Sequence, residues 1–163
     1  MNKFFPLFFI LLWSSAFITT KPIVTDSSPF SALAFRFLIV SFGFFLFSIY
    51  KKYTIFVSKK NMYESILSGI LFHGIYLGGV FFSISKGLPT SIVALIVTLQ
   101  PILTNVLAGP LLNEKVTWKQ WVGVSLGFLG AILVLGFEIG SNLPTIGEIA
   151  AFISLISVTA ATL

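Results

Sequence analysis

The chain has 163 residues, of which 56% are hydrophobic and only 9% are charged, and its mean hydropathy is +1.03. A soluble domain usually carries charge on about 25% of its residues, so this composition excludes an ordinary water-soluble protein. The net charge of +5 comes mostly from lysines between apolar runs, which is typical of membrane loops and not of a nucleic-acid-binding face.

Apolar runs long enough to cross about 30 Å of hydrocarbon follow one another along the chain. None shows the two-residue alternation that is typical of membrane barrel strands. The sequence therefore predicts an all-α transmembrane fold. We expect complete helices at about residues 4–24, 30–50, 62–86, 88–112 and 118–137, and a partial sixth helix over residues 144–163.

The first run could also be a signal peptide, because Lys3 precedes it and Ser14-Ser15-Ala16 resembles a cleavage site. The run continues past that point and further runs follow it, which favours a retained helix. The last run, residues 149–163, has a helical length of only about 22 Å. We expect it to be an incomplete span; the alternative is a shallow helix or one capped by a partner.

The positions of the lysines predict the orientation. A cytoplasmic N-terminus puts seven lysines inside and two outside, in agreement with the positive-inside rule. We therefore expect a multi-pass protein of the cell (inner) membrane with a cytoplasmic N-terminus. The inside set is Lys3, Lys51, Lys52, Lys59, Lys60, Lys115 and Lys119, and the outside set is Lys21 and Lys86.

Three stretches carry a resemblance to one family. They are Trp13-Ser14-Ser15-Ala16-Phe17 with Lys21, then Ser28-Pro29-Phe30 with Ala34-Phe35-Arg36-Phe37, and a longer pattern of Ala94, Leu99, Pro101, Glu114, Gly123, Gly127 and Gly130. In this order and spacing they resemble one repeat of the EamA-type drug/metabolite transporters. Lys115 departs from the arginine that the family often has there, and we expect only the start of a second repeat within these 163 residues.

The resemblance implies a ten-helix fold of two inverted five-helix repeats, with residues 1–140 as the first repeat and residues 144–163 as the start of the second. An odd number of spans per unit agrees with this, because the second copy must then enter the membrane from the other side. The expected partners are the lipid bilayer, a small-molecule solute, and either a second EamA repeat or a second copy of the chain. The expected function is export of small metabolites or amino-acid-like solutes. A half-length transporter working as a dimer and a non-transporting scaffold or inactive remnant stay open as alternatives.

Seven residues are candidates for a solute pathway. Arg36 lies near the outer end of the second helix, where it either reaches the headgroups or contacts an acidic partner or an anionic solute. His73 lies in mid-span, either facing a cavity or bonded to a neighbouring helix. Pro101 removes a backbone hydrogen bond and should kink the fourth helix, which either frees carbonyls for solute binding or is an ordinary packing device. The remaining candidates are Trp13, Tyr76, Gln100 and Asn105.

Small residues predict helix contacts. Gly69, Gly123, Gly127 and Gly130 are candidates for close helix packing. A stripe on the third helix is either a packing seam or a cavity wall; it contains Ser65, Gly69, Phe72, Tyr76, Gly79 and Ser83.

Enzymatic function finds no support in the sequence. It contains no catalytic or nucleotide-binding motif, no cysteine and one histidine, so we expect no catalytic residues, no cofactor and no metal site. No nucleic-acid partner is expected either.

Overall fold

The computed structural model describes residues 4–53, 58–113, 116–135 and 143–163. Within these ranges the chain forms helices and no strand, which confirms the predicted all-α fold. The helices are α1 Phe4–Asp26, α2 Pro29–Tyr50, α3 Lys59–Ser85, α4 Thr90–Leu112, α5 Trp118–Leu135 and α6 Thr145–Thr162. Lys3, Glu114, Lys115 and the predicted end of the fifth helix at 136–137 lie outside the described residues.

In the described part of the chain, α1, α2, α3, α4 and α6 are long and apolar enough to cross a membrane. The helix α5 has 18 residues. Large side chains cover the outward faces of α1 and α2; Phe4 is 78% exposed and Leu38 is 69% exposed. Such an extensive apolar surface is far larger than the patches that soluble monomers expose. The chain is therefore a multi-pass membrane protein, with lipid against these faces.

Local chemistry sets several helix ends. Pro29 begins α2, where its missing N–H costs nothing because the first helical N–H groups have no partner in the helix. The Ser58 hydroxyl accepts a hydrogen bond from the Asn61 N–H at 3.3 Å and so caps α3. Gly87 adopts a φ of +91° between α3 and α4, a conformation that side chains with a Cβ rarely adopt.

Two of the membrane helices are irregular near their middle. The α3 helix contains a π-helical segment, Ile70–Tyr76, with α-helix on both sides. The α4 helix consists of the segments Thr90–Val97 and Gln100–Leu112, separated at Thr98 and Leu99. The break lies within one turn before Pro101, the residue at which the sequence predicts a kink.

The core lies between α3, α4 and α6. The segment expected to be an incomplete span forms α6, which packs against both other helices and buries Ala151, Ser154, Leu155 and Val158. Helices α1 and α2 pack against the side of α3, and α5 packs against α4. This arrangement leaves a space between α1, α2 and α3.

Candidate functional site

A cavity of about 360 Å³ lies between α1, α2 and α3. Ligand sites for small molecules usually measure about 300–1,000 Å³, so the cavity could hold part or all of a metabolite. Its walls are mainly aromatic and aliphatic, and Arg36 is the cationic residue among those that line it. The aromatic contribution comes from Phe9, Trp13, Phe17, Phe37, Phe72, Tyr76 and Phe81.

The cavity brings together four of the seven residues predicted for a solute pathway. Trp13 comes from α1, Arg36 from α2, and His73 and Tyr76 from the π-helical segment of α3. These residues come from three helices and are up to 63 positions apart in the sequence. Tyr76 is 2% exposed and joins the cavity wall to the core.

Stacked and edge-on rings form the wall around His73. The imidazole lies edge-on to Phe37, with ring centroids 5.3 Å apart, and 5.2 Å from the ring of Phe72. Phe72 in turn lies 5.3 Å from Tyr76 in a T-shaped contact, and Phe9 stacks on Trp13 at 5.7 Å. Such pairs fix ring orientation as well as burying area. His73 lines the cavity and is exposed in the part of the chain that the structure describes.

Arg36 lies at the boundary between the cavity and a second, more open space. It lines both the cavity and a groove of about 660 Å³ between the end of α1 and the first half of α2. Ser27 and Ser31 are the other polar residues of that groove. Among the described residues, no carboxylate lies within 4 Å of the Arg36 guanidinium. The ion pair found in this part of the chain joins Lys60 to Glu64 at 3.7 Å, within α3. Of the predicted alternatives for Arg36, an acidic partner is therefore absent from this part of the chain.

The other three predicted pathway residues do not line this cavity. Gln100 lies at the α4 break, and its Nε2 is 3.4 Å from the Thr162 hydroxyl of α6. Pro101 is exposed and Asn105 is half-buried on the same segment. The candidate site therefore divides into the cavity and a polar position between α4 and α6.

One face of α1 contributes more to the cavity than the sequence analysis recognised. Trp13, Ala16, Phe17 and Thr20 all line it, at the spacing i, i+3, i+4 and i+7. This spacing puts residues on one face of a helix and could have identified the set once Trp13 was chosen. The Thr20 hydroxyl donates to the Ala16 carbonyl at 2.7 Å, so its polar atom is satisfied within α1.

The predicted packing glycines have no close neighbour in the described chain. A Cβ placed on Gly69, Gly123, Gly127 or Gly130 would meet no described atom of another element within 4 Å. A seam through these four stays a prediction for contacts beyond the described residues. The stripe on α3 has both predicted roles: Phe72 and Tyr76 line the cavity, whereas Gly79 packs against α6.

Besides Gly79, Gly147 of α6 also makes a close helix contact, which the sequence analysis did not predict. A Cβ there would lie 3.1 Å from the Leu88 Cβ and 3.3 Å from the Ser83 carbonyl oxygen. The spacing of Gly147, Ala151, Ser154 and Val158 along α6 is a signal that could have indicated this buried face.

In the described ranges, no group of three His, Asp or Glu residues could hold a metal ion.

The sequence pattern of the EamA-like transporter family matches residues 4–136. No solved structure matches the chain.

Three curated relatives are transporters by name. An uncharacterized transporter of Archaeoglobus fulgidus is 24% identical over 125 residues, covering 77% of this chain and 44% of the relative. The S-adenosylmethionine/S-adenosylhomocysteine transporter of Chlamydia muridarum is 26% identical over 137 residues, covering 83% and 42%. The uncharacterized transporter YyaM of Bacillus subtilis is 31% identical over 132 residues, covering 78% and 42%. The matches thus span less than half the length of each of these relatives.

Proposed function

This chain belongs to the EamA-like transporter family, and on that premise we propose that it forms the N-terminal half of a secondary transporter. Its proposed activity is the export of small metabolites or amino-acid-like solutes across the cytoplasmic membrane, with the N-terminus inside. The observation that carries the proposal is the convergence of Trp13, Arg36, His73 and Tyr76 on one cavity.

The chemistry of the cavity favours a solute with a flat aromatic ring and an anionic group. The aromatic walls can stack on a ring, and the Arg36 guanidinium can pair with a carboxylate. S-adenosylmethionine has both features, a purine ring and an amino-acid carboxylate. Because a relative in Chlamydia muridarum is named for this solute, it is the first probe to try. Adenosine has the ring without the carboxylate, and methionine has the carboxylate without the ring.

The proposed transport cycle needs a second repeat. The matched region is only 42–44% of each relative, and inverted repeats that move around a central site are a common basis of alternating access. The second repeat comes either from further polypeptide or from a second copy of the chain. In both cases the cavity between α1, α2 and α3 would be this repeat's share of the pathway.

The test is solute flux in proteoliposomes. Two proteins are reconstituted separately: the chain alone, and the chain joined to the C-terminal half of YyaM. The flux of radiolabelled S-adenosylmethionine, adenosine and methionine is measured for each. We expect the joined protein to transport S-adenosylmethionine faster than the two partial solutes. Arg36→Gln should lower that flux, whereas Lys52→Gln, which changes a loop cation, should leave it unchanged.

The flux of the chain alone separates the remaining alternatives. Flux of the same solute with the unjoined chain would identify a half-length transporter that pairs with itself. If neither form moves any of the three solutes while both are inserted and monodisperse, the transport proposal is wrong and a scaffold role is favoured.

A further inference from the structure

The π-helical segment Ile70–Tyr76 lies at the middle of α3, and it presents His73 and Tyr76 to the cavity. A π-helix bonds each N–H to the carbonyl five residues back, whereas the α-helix on either side bonds four residues back, so the π-helical segment is wound more loosely. Each residue of an α-helix turns the chain by about 100°. Return of this segment to α-helix would therefore rotate one half of α3 against the other by a similar angle. Such a rotation would move His73 and Tyr76 relative to the other residues that line the cavity.

A side chain from another helix bonds to the backbone of this segment. The Ser157 hydroxyl of α6 donates to the Leu71 carbonyl oxygen at 2.8 Å, across 86 positions of sequence. Ser157 is 5% exposed. Because lipid offers no hydrogen bonds, a buried hydroxyl needs a partner within the protein, and the Leu71 carbonyl is the partner of Ser157.

Neighbouring hydroxyls on α6 behave differently. Ser154 donates to the Ala150 carbonyl at 2.8 Å, and Thr159 donates to the Leu155 carbonyl at 2.8 Å. Both bonds stay within α6, as is usual for serine and threonine in helices. Ser157 is thus distinguished by its partner, not by its burial, since Thr159 is 2% exposed.

We propose that Ser157 is a positioning residue, which holds the π-helical winding of α3 through the Leu71 carbonyl and thereby keeps His73 and Tyr76 on the cavity wall. This rests on the proposed function, in which that cavity binds the solute. The proposal also gives α6 a defined role. The α6 helix lies beyond residues 4–136, which match the family. A displacement of α6 would nevertheless change the side chains that the solute contacts.

The simpler alternative is that the bond only adds to helix packing. A packing bond could be removed without changing the environment of His73, and removal of any buried hydroxyl on α6 would then have the same effect. The chain contains a single histidine, so NMR signals of a labelled imidazole report on His73 alone. The rings of Phe37 and Phe72 lie 5.3 and 5.2 Å from it, which makes its chemical shift sensitive to their relative orientation.

The experiment compares imidazole spectra of the detergent-solubilised 163-residue chain without solute. We expect Ser157→Ala to shift the His73 signals, Ser157→Thr to restore them towards wild type, and Thr159→Val, which removes a hydroxyl bonded within α6, to leave them in place. If Ser157→Ala is not monodisperse, Ser157→Cys, a weaker donor of similar size, takes its place and should give a smaller shift in the same direction.

Wild-type signals in the Ser157→Ala and Ser157→Cys chains, or an equal shift in Thr159→Val, would overturn the proposal. Since no solute is present, the outcome does not depend on whether the chain transports S-adenosylmethionine. A negative flux result with a positive spectrum would remove the proposed function and leave the structural role of Ser157 intact.

Discussion

Gly79 of α3 lies directly against Ser154 of α6. A Cβ placed on Gly79 would collide with the Ser154 Oγ and would lie 3.0 Å from the Ala150 carbonyl oxygen. Close backbone approach through a small residue is a common means of packing helices in lipid, where no hydrophobic effect drives helices together. This contact joins α6 to α3, the helix that carries two of the four predicted residues lining the cavity.

Substitution of Gly79 should therefore destabilise the protein. We expect Gly79→Ala to lower the free energy of unfolding by about 1–3 kcal/mol, the usual effect of overpacking a filled contact, and to lower the melting temperature followed by circular dichroism in detergent. Gly43→Ala is the matched control, because a Cβ on Gly43 meets nothing within 4 Å. Equal melting temperatures for the two variants would contradict the packing described for α3 and α6.

The orientation of the helices can be tested with single cysteines, since the chain has none of its own. We expect cysteines at Ser58 and Val116 to react with a membrane-impermeant maleimide only from the cytoplasmic side, and a cysteine at Ser27 only from outside. The lysine distribution is the physical reason for this orientation. The reverse labelling pattern would show that the N-terminus is outside.

Filling the cavity should prevent solute binding without preventing insertion. Ala16 lines the cavity, so an indole at this position would occupy space that the solute needs. We expect Ala16→Trp to weaken S-adenosylmethionine binding at least tenfold, or by about 1.4 kcal/mol, as measured by equilibrium binding in detergent. Ala34→Trp adds the same side chain to an exposed position of α2 and should bind as wild type. Unchanged binding in Ala16→Trp would exclude the cavity as the solute site.

The two parts of the predicted site should differ in their kinetic effects. His73 lines the cavity, whereas Asn105 lies on the α4 segment that faces α6. We expect His73→Ala to weaken solute binding several-fold and to reduce flux in the joined protein. Asn105→Ala should reduce flux while binding stays within twofold of wild type. Unchanged flux in both variants would remove these residues from the proposed pathway.

The sequence was sufficient to predict the helical fold because long uncharged runs have few other solutions in lipid. Four of the residues predicted for the pathway line one cavity; Trp13 and Arg36 were chosen from motifs, His73 as the single histidine, and Tyr76 from helical spacing. The π-helical segment was not predicted, because Ile70–Tyr76 contains no proline and its bond from Ser157 is a contact across 86 positions that local sequence does not indicate. Likewise, periodicity shows that a face of α6 carries small residues but not which helix it meets. The spacing of the glycines in α5 predicted close helix packing. Close packing also requires an element on the opposite side, and spacing within one helix does not indicate which element that is.

The central claim is that the cavity between α1, α2 and α3 binds the solute, and Trp13 offers the most direct measurement. The chain has three tryptophans, so Trp118→Phe with Trp121→Phe leaves Trp13 as the only indole fluorophore. We predict a saturable change in its emission on titration with S-adenosylmethionine, with an affinity at least tenfold weaker after Arg36→Gln. No saturable change, or one that Arg36→Gln leaves unaltered, would contradict the account.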